Sequence, residues 1–157
     1  MNNINAINSI NTDFISGYKF MLMSDIAILG SEKLDCSNEW LFNLKEIFKL
    51  DVDKFEDKLD IIKKSKIFFI KRDFVEFFIT KFYNYLQNNL TIITHCSDIP
   101  VDNTQILNLP KIKKWYALNT MIKHHKLITI PIGLTTHEKK HGDMKLLKSI
   151  VDMKIRK

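Results

Sequence analysis

Apolar positions along the chain change period several times, and each change marks an expected element. Residues 1 to 19 are polar with scattered Ile and Phe and hold no sustained period, which predicts an arm ahead of one folded domain over residues 20 to 157. Phe20 to Leu29 is apolar around Ser24 and Asp25 and ends at Gly30, a length that suits either a first strand or a short buried helix. Ser37 then stands where an N-cap belongs, ahead of Trp40, Leu41, Leu44, Ile47 and Phe48 at helical spacing, so a helix is expected to about Leu50. Phe55, Leu59 and Ile62 recur at intervals of four and three and predict a second helix with a lysine-rich outer face.

From Lys66 the pattern shortens. Ile67-Phe68-Phe69-Ile70 is compact, aromatic and β-branched, the composition of a buried strand. Phe74, Phe77, Phe78, Phe82, Tyr85 and Leu86 form one helical stripe that Asn88-Asn89 should stop, and Leu90 to Thr94 reads as the next strand. Strand, helix and strand with short joints make a right-handed parallel crossover. After Pro100 a short helix is expected from Thr104 to Leu109, then a strand or helix from Ile112 to Leu118. A further strand lies within Lys126 to Leu134, where Pro131 demands an edge or terminal position. Asp143 to Lys157 has the spacing of a lysine-rich amphipathic helix.

This order predicts an α/β fold, a Rossmann-like, mostly parallel sheet flanked by helices. In such sheets ligands bind outside the carboxyl ends of the strands, here Asp73, His95 to Asp98, and Gly133 to Thr136.

Composition narrows the function classes. Among 157 residues, 11 Phe, 4 Tyr and 2 Trp supply a real core, so a disordered chain is excluded. Two cysteines form no disulfide framework and suit a reducing compartment, and no segment has the roughly 20 apolar residues of a membrane span. A cytoplasmic protein without membrane partners is expected. The formal charge of +6, carried almost wholly by Lys, predicts affinity for some anion.

Motifs narrow it further. His137-Glu138-Lys139-Lys140-His141 has the spacing of a zinc protease helix, but Gly142 follows directly and no His or Glu lies beyond it, so a solvated loop is expected and no metal. Asp51-Val52-Asp53 begins like a calcium loop yet places Glu56 where that loop turns on Gly. His124-His125 and His95-Cys96, as neighbours on a strand, would point apart and form no dyad. No glycine loop cradles a phosphate, so no nucleotide cofactor is expected. Lys111-Ile112-Lys113-Lys114-Trp115-Tyr116 interleaves lysines with rings, but basic residues are spread through the chain among acids, which points to a solvated surface and away from nucleic acid.

Several of these pieces occur in a fixed order: Thr94-His95-Cys96-Ser97-Asp98, then Lys114-Trp115-Tyr116-Ala117-Leu118-Asn119, His124 to Lys126, Ile130-Pro131-Ile132-Gly133-Leu134, and His141-Gly142. Across residues 66 to 142 the order resembles the amino-terminal half of exostosin-like, GT-B-like glycosyltransferases of large DNA viruses and bacteria. Cys96, Leu118 and His125 stand where that family has Asn, Gln and Pro, and the usual Trp before His141-Gly142 is missing.

The resemblance implies the acceptor-side half of a nucleotide-sugar-dependent glycosyltransferase, inactive by itself, whose donor contacts come from a second domain or subunit. Its ligands would be a nucleotide sugar or a glycan acceptor. His95 is then the expected base and Asp98 the orienting carboxylate. Asp73, Ser97, Asn119, His141 and the Gly133 backbone are expected to position substrate, and Lys114 and Lys126 to offer charge. The competing class is a noncatalytic interaction protein on the same fold.

Overall fold

The computed structural model describes residues 17–28, 47–48, 59–95, 97–133, 149 and 153. In chain order they form α1 (Gly17–Leu22), β1 (Ile26–Ile28), β2 (Ile47–Phe48), α2 (Leu59–Lys64), β3 (Ile67–Lys71), α3 (Val75–Phe82), β4 (Leu90–His95), β5 (Ile112–Ala117) and β6 (Leu127–Thr129). Single 3-10 turns, Arg72–Phe74 and Tyr83–Tyr85, bracket α3. All six strands join one sheet in the order β2-β1-β3-β4-β5-β6, and every pairing is parallel. The expected α/β Rossmann-like layer is therefore present, with a sheet parallel throughout.

Alternation along the strands divides the core between two faces. Ile26, Ile28, Phe68, Ile70, Leu90, Ile92, Ile112, Trp115 and Ala117 face α2 and α3, where they meet Ile62, Val75, Phe78, Ile79 and Phe82. Phe78 ties the layers together, with its ring 5.0 Å from Phe68 and 5.4 Å from Phe82. The opposite face is smaller: Ala27, Phe69, Ile93 and Ile130 pack with Met21 of α1, and Phe20, Ile67 and Tyr116 close over them. Each fully buried large side chain contributes about 1.5–3 kcal/mol, so burial on both faces explains why these strands read as unbroken apolar runs. A register shift between β4 and β5 pairs Leu90 with Ile112 but Thr91 with Lys114. The extra residue, Lys113, is exposed, and the bulge keeps both Ile112 and Trp115 on the main core face.

Several expectations are corrected. Ile47 and Phe48, expected inside a helix from Ser37, form β2 and pair with Ala27 and Ile28. Sheet pairing along β1 overrides the helical spacing there. Phe20 to Leu29 holds both alternatives in succession, α1 and then β1. Thr104 to Leu109 makes one turn, with Asn108 N–H donating to Thr104 O at 2.9 Å and Leu109 N–H to Ile106 O at 3.1 Å. Pro110 disfavours the helical conformation at Leu109 and stops propagation. Ile112 to Leu118 resolves as a strand. β6 is the sheet edge, and Pro131 falls just beyond its last residue, as its missing N–H requires. Of the expected carboxy-terminal helix only Ser149 and Met153 are described, both helical. The rest of the Ser37 helix, the Asp51 to Glu56 loop and the His137 to His141 motif lie outside the described residues.

The chain steps from β1 out to β2 and returns on the other side of β1 as β3, so the strand order reverses between β1 and β3. In open α/β sheets such a reversal, at the carboxyl ends of the two strands, is where ligands bind.

Candidate functional site at the carboxyl edge of the sheet

β3, β4 and β5 deliver polar residues to one edge. Lys71 ends β3 in register with His95, which ends β4, so the two stand side by side on the α1 face. His95 is 6% exposed. Its ring lies 5.7 Å from Phe20, and its Nε2 is 3.0 Å from Ile132 O. A carbonyl only accepts, so Nε2 carries the proton, and in the neutral ring Nδ1 is the acceptor. Burial holds the imidazole pKa below its ordinary value, with the carbonyls of Ile132 and Pro131 pulling the other way. His95 thus anchors the chain past β6 across the end of β5.

That chain turns at Gly133, whose φ of 74° is in the left-handed region where a side chain would clash. Beside it, residues 97–101 fold against the end of β5. Ser97 Oγ accepts from Ile99 N–H at 3.2 Å, and Asn119 Nδ2 donates to Ser97 O at 3.2 Å. Val101 and Thr120 add a parallel bridge, through Val101 N–H to Asn119 O and Met121 N–H to Val101 O, each 2.9 Å. Thr120 and Thr129 hydroxyls meet at 2.6 Å and join the ends of β5 and β6.

Beneath the edge lies a polar knot that sequence reasoning missed. Arg72 is 6% exposed and sits 5.5 Å over the Trp115 ring. Its Nη1 bridges both carboxylate oxygens of Glu76 at 2.6 Å, and its Nε donates to Pro100 O at 3.2 Å. Trp115 Nε1 donates to Thr94 Oγ1 at 3.0 Å. The signal was a lone Arg directly after a buried strand, with Glu one helical turn on.

The edge brings together His95, Ser97, Asn119 and Gly133, as their placement after successive strands predicts. Asp73 follows β3, on one side of the strand-order reversal, 3.9 Å from Lys71 Nζ. Asp98 is exposed on the 97–101 loop and forms no bond to His95. Lys114 and Lys126 are elsewhere: Lys114 pairs with Thr91 near the start of β4, and Lys126 precedes β6. About 13 Å of strand separates that end from His95. There they hold backbone, Lys114 Nζ on His125 O at 2.9 Å and Lys126 Nζ on Leu109 O at 3.2 Å. His141 is outside the described residues. His124 and His125 occupy a turn, not a strand, and their rings approach to 4.3 Å.

Among the described residues no cluster of His, Cys, Asp and Glu could hold a metal ion, and no helix is long and apolar enough to cross a membrane. Compared with known proteins, the chain matches no family model, no curated protein and no solved structure.

Proposed function

We propose that the chain is a glycosyltransferase-like domain, the acceptor-side half of a nucleotide-sugar-dependent glycosyltransferase, and that it receives a hydroxyl-bearing acceptor at the carboxyl edge. The observation that carries this reading is the chemistry of that edge. Ser97, Asn119, Thr120, Thr129 and Asp98 offer hydroxyl, amide and carboxylate groups, which match sugar hydroxyls as both donors and acceptors. Among the described residues the cations there, Lys71 and Arg72, already face the carboxylates of Asp73 and Glu76. A donor diphosphate needs unopposed cations or helix amino termini, so its contacts fall to a second domain or subunit. Asp98 is the candidate base on the acceptor hydroxyl, and His95, bound to Ile132 O, is a positioning residue for the 130–133 segment.

One half then holds one reactant. Donor and acceptor gain about 7–11 kcal/mol from being held at near-attack geometry, and the chain alone forgoes most of that. Assays combining the chain with nucleotide sugars and oligosaccharide acceptors should show acceptor binding without turnover. Turnover abolished by Asp98→Ala or His95→Ala would establish a complete enzyme instead. A second reading, a noncatalytic interaction protein, is favoured by three apolar side chains on the same edge, Ile99, Met121 and Ile132, at 45%, 76% and 69% exposure. Absence of saccharide binding, together with loss of a protein partner on Met121→Lys, would favour it.

A further inference from the structure

The fold sorts charges that the sequence interleaves. At the carboxyl edge, Lys71 pairs with Asp73 and Arg72 with Glu76, and Asp98 and Asp102 follow β4 on the same side. Lysines collect at the opposite edge, where the strands begin: Lys63, Lys64 and Lys66 ahead of β3, Lys81 in the last turn of α3, Lys111, Lys113 and Lys114 at the start of β5, and Lys126 ahead of β6. The acids described there are occupied. Asp25 accepts the Lys66 and Ile67 N–H groups at 2.8 and 2.9 Å, and Asp60 pairs with Lys63 at 3.8 Å. From residue 103 to 133 the chain has no Asp or Glu at all, against five lysines. None of those five pairs with a carboxylate among the described residues.

Three of them are fixed in place by uncharged partners. Lys111 Nζ donates to Tyr83 O at 2.8 Å and Asn84 O at 3.2 Å, and Lys114 and Lys126 hold the carbonyls of His125 and Leu109. Carbonyls orient an ammonium without neutralising it, so these charges are ordered and uncompensated. Rings lie among them. Lys111 Nζ is 5.0 Å from the Tyr83 ring centroid, and Lys63 Nζ is 5.9 Å from that of Tyr85, which is 50% exposed. The His124 and His125 rings, tilted by 35° to each other, complete the row. From β3 to β6 the row spans about 14 Å, three strand spacings.

From this juxtaposition we propose that the amino edge of the sheet binds single-stranded nucleic acid, its lysines on phosphates and Tyr85 against a base. Ordered cations without counter-charge suit a phosphodiester backbone, and exposed rings between them favour unstacked bases, which carry a π-face at every unit, over runs of Asp and Glu, whose side chains carry none. The proposal is independent of the carboxyl-edge reading and survives its failure.

The test is fluorescence anisotropy of labelled oligo(dT) and oligo(rU) with the full chain at 50 and 200 mM salt. Three phosphate contacts predict affinity about 20-fold weaker at the higher salt. Lys64→Gln with Lys113→Gln changes two exposed amino-edge lysines whose ammonium groups hold no other described group, and should lower the salt slope by about 0.7 for each phosphate no longer neutralised. Tyr85→Ala should weaken binding about fivefold or more with the slope kept. Lys71→Gln, at the other edge, should change nothing. Circular dichroism verifies that each variant is folded. Binding unchanged by the amino-edge variants, or poly-glutamate displacing the oligonucleotide at equal charge, would overturn the proposal; the second result would assign the edge to an acidic protein.

Discussion

Trp115 shows how much a single residue holds at the site. Its ring is buried in the main core, capped by Arg72, and its N–H is satisfied by Thr94 at 3.0 Å. Thr94→Val keeps the shape but leaves the indole N–H unpaired, so stability should fall by about 1–3 kcal/mol in urea titrations. Trp115→Ala adds a cavity and should cost about 3–5 kcal/mol. His95 makes a prediction in pH. Its folded pKa lies below the ordinary value of 6.5 because burial disfavours the charged ring. The unfolded chain therefore takes up the proton first, and the neutral ring's contribution is present above pH 6.5 and lost as pH falls through the folded pKa. Denaturation midpoints should drop from about pH 7 to about pH 5, and His95→Gln, which can still donate to Ile132 O, should flatten part of that slope. Equal slopes in both proteins would contradict a buried neutral His95. Its place at a strand end was legible in the sequence. Its partner, 37 residues away, was not, because nothing local marks a backbone carbonyl as the acceptor.

Among the elements, β3, α3 and β4 were the most legible, since their burial follows directly from local period. The helix stops earlier than Asn88-Asn89, at Phe82 with a 3-10 turn to Tyr85, and Asn89 instead leads the chain into β4 at φ 63°, a left-handed position that Asn tolerates and β-branched residues do not. Asn89→Gly should be nearly neutral and Asn89→Val should lower the melting temperature, a contrast that thermal unfolding by circular dichroism measures directly. β2 was illegible because two apolar residues fit a helix stripe as well as a strand, and only the neighbour β1 decides between them. The bulge at Lys113 was equally hidden. It sets the phase of β5 by placing Trp115 in the core and Lys114 over His125 O, a consequence of register that periodicity within one strand does not contain.

Across the whole molecule, a parallel sheet separates the ends of its strands into two chemical environments. His95, Ser97, Asn119 and Gly133 were correctly grouped because strand ends are visible in sequence. Lys114 and Lys126 were misgrouped because they lie in or next to strands of the same set but at the starting edge. The lysines looked dispersed along the chain, and only folding gathers them on one side. Hydroxyl-matching chemistry without free cations is therefore proposed for the carboxyl edge. Amide chemical-shift mapping of the ¹⁵N-labelled chain, titrated separately with oligosaccharide acceptors and nucleotide sugars, tests this most directly. An oligosaccharide is expected to shift Ser97, Asp98, Val101, Asn119 and Thr120, and a nucleotide sugar to leave those amides in place. Selective perturbation of the carboxyl edge by the nucleotide sugar, or no response there to any saccharide, would contradict that assignment.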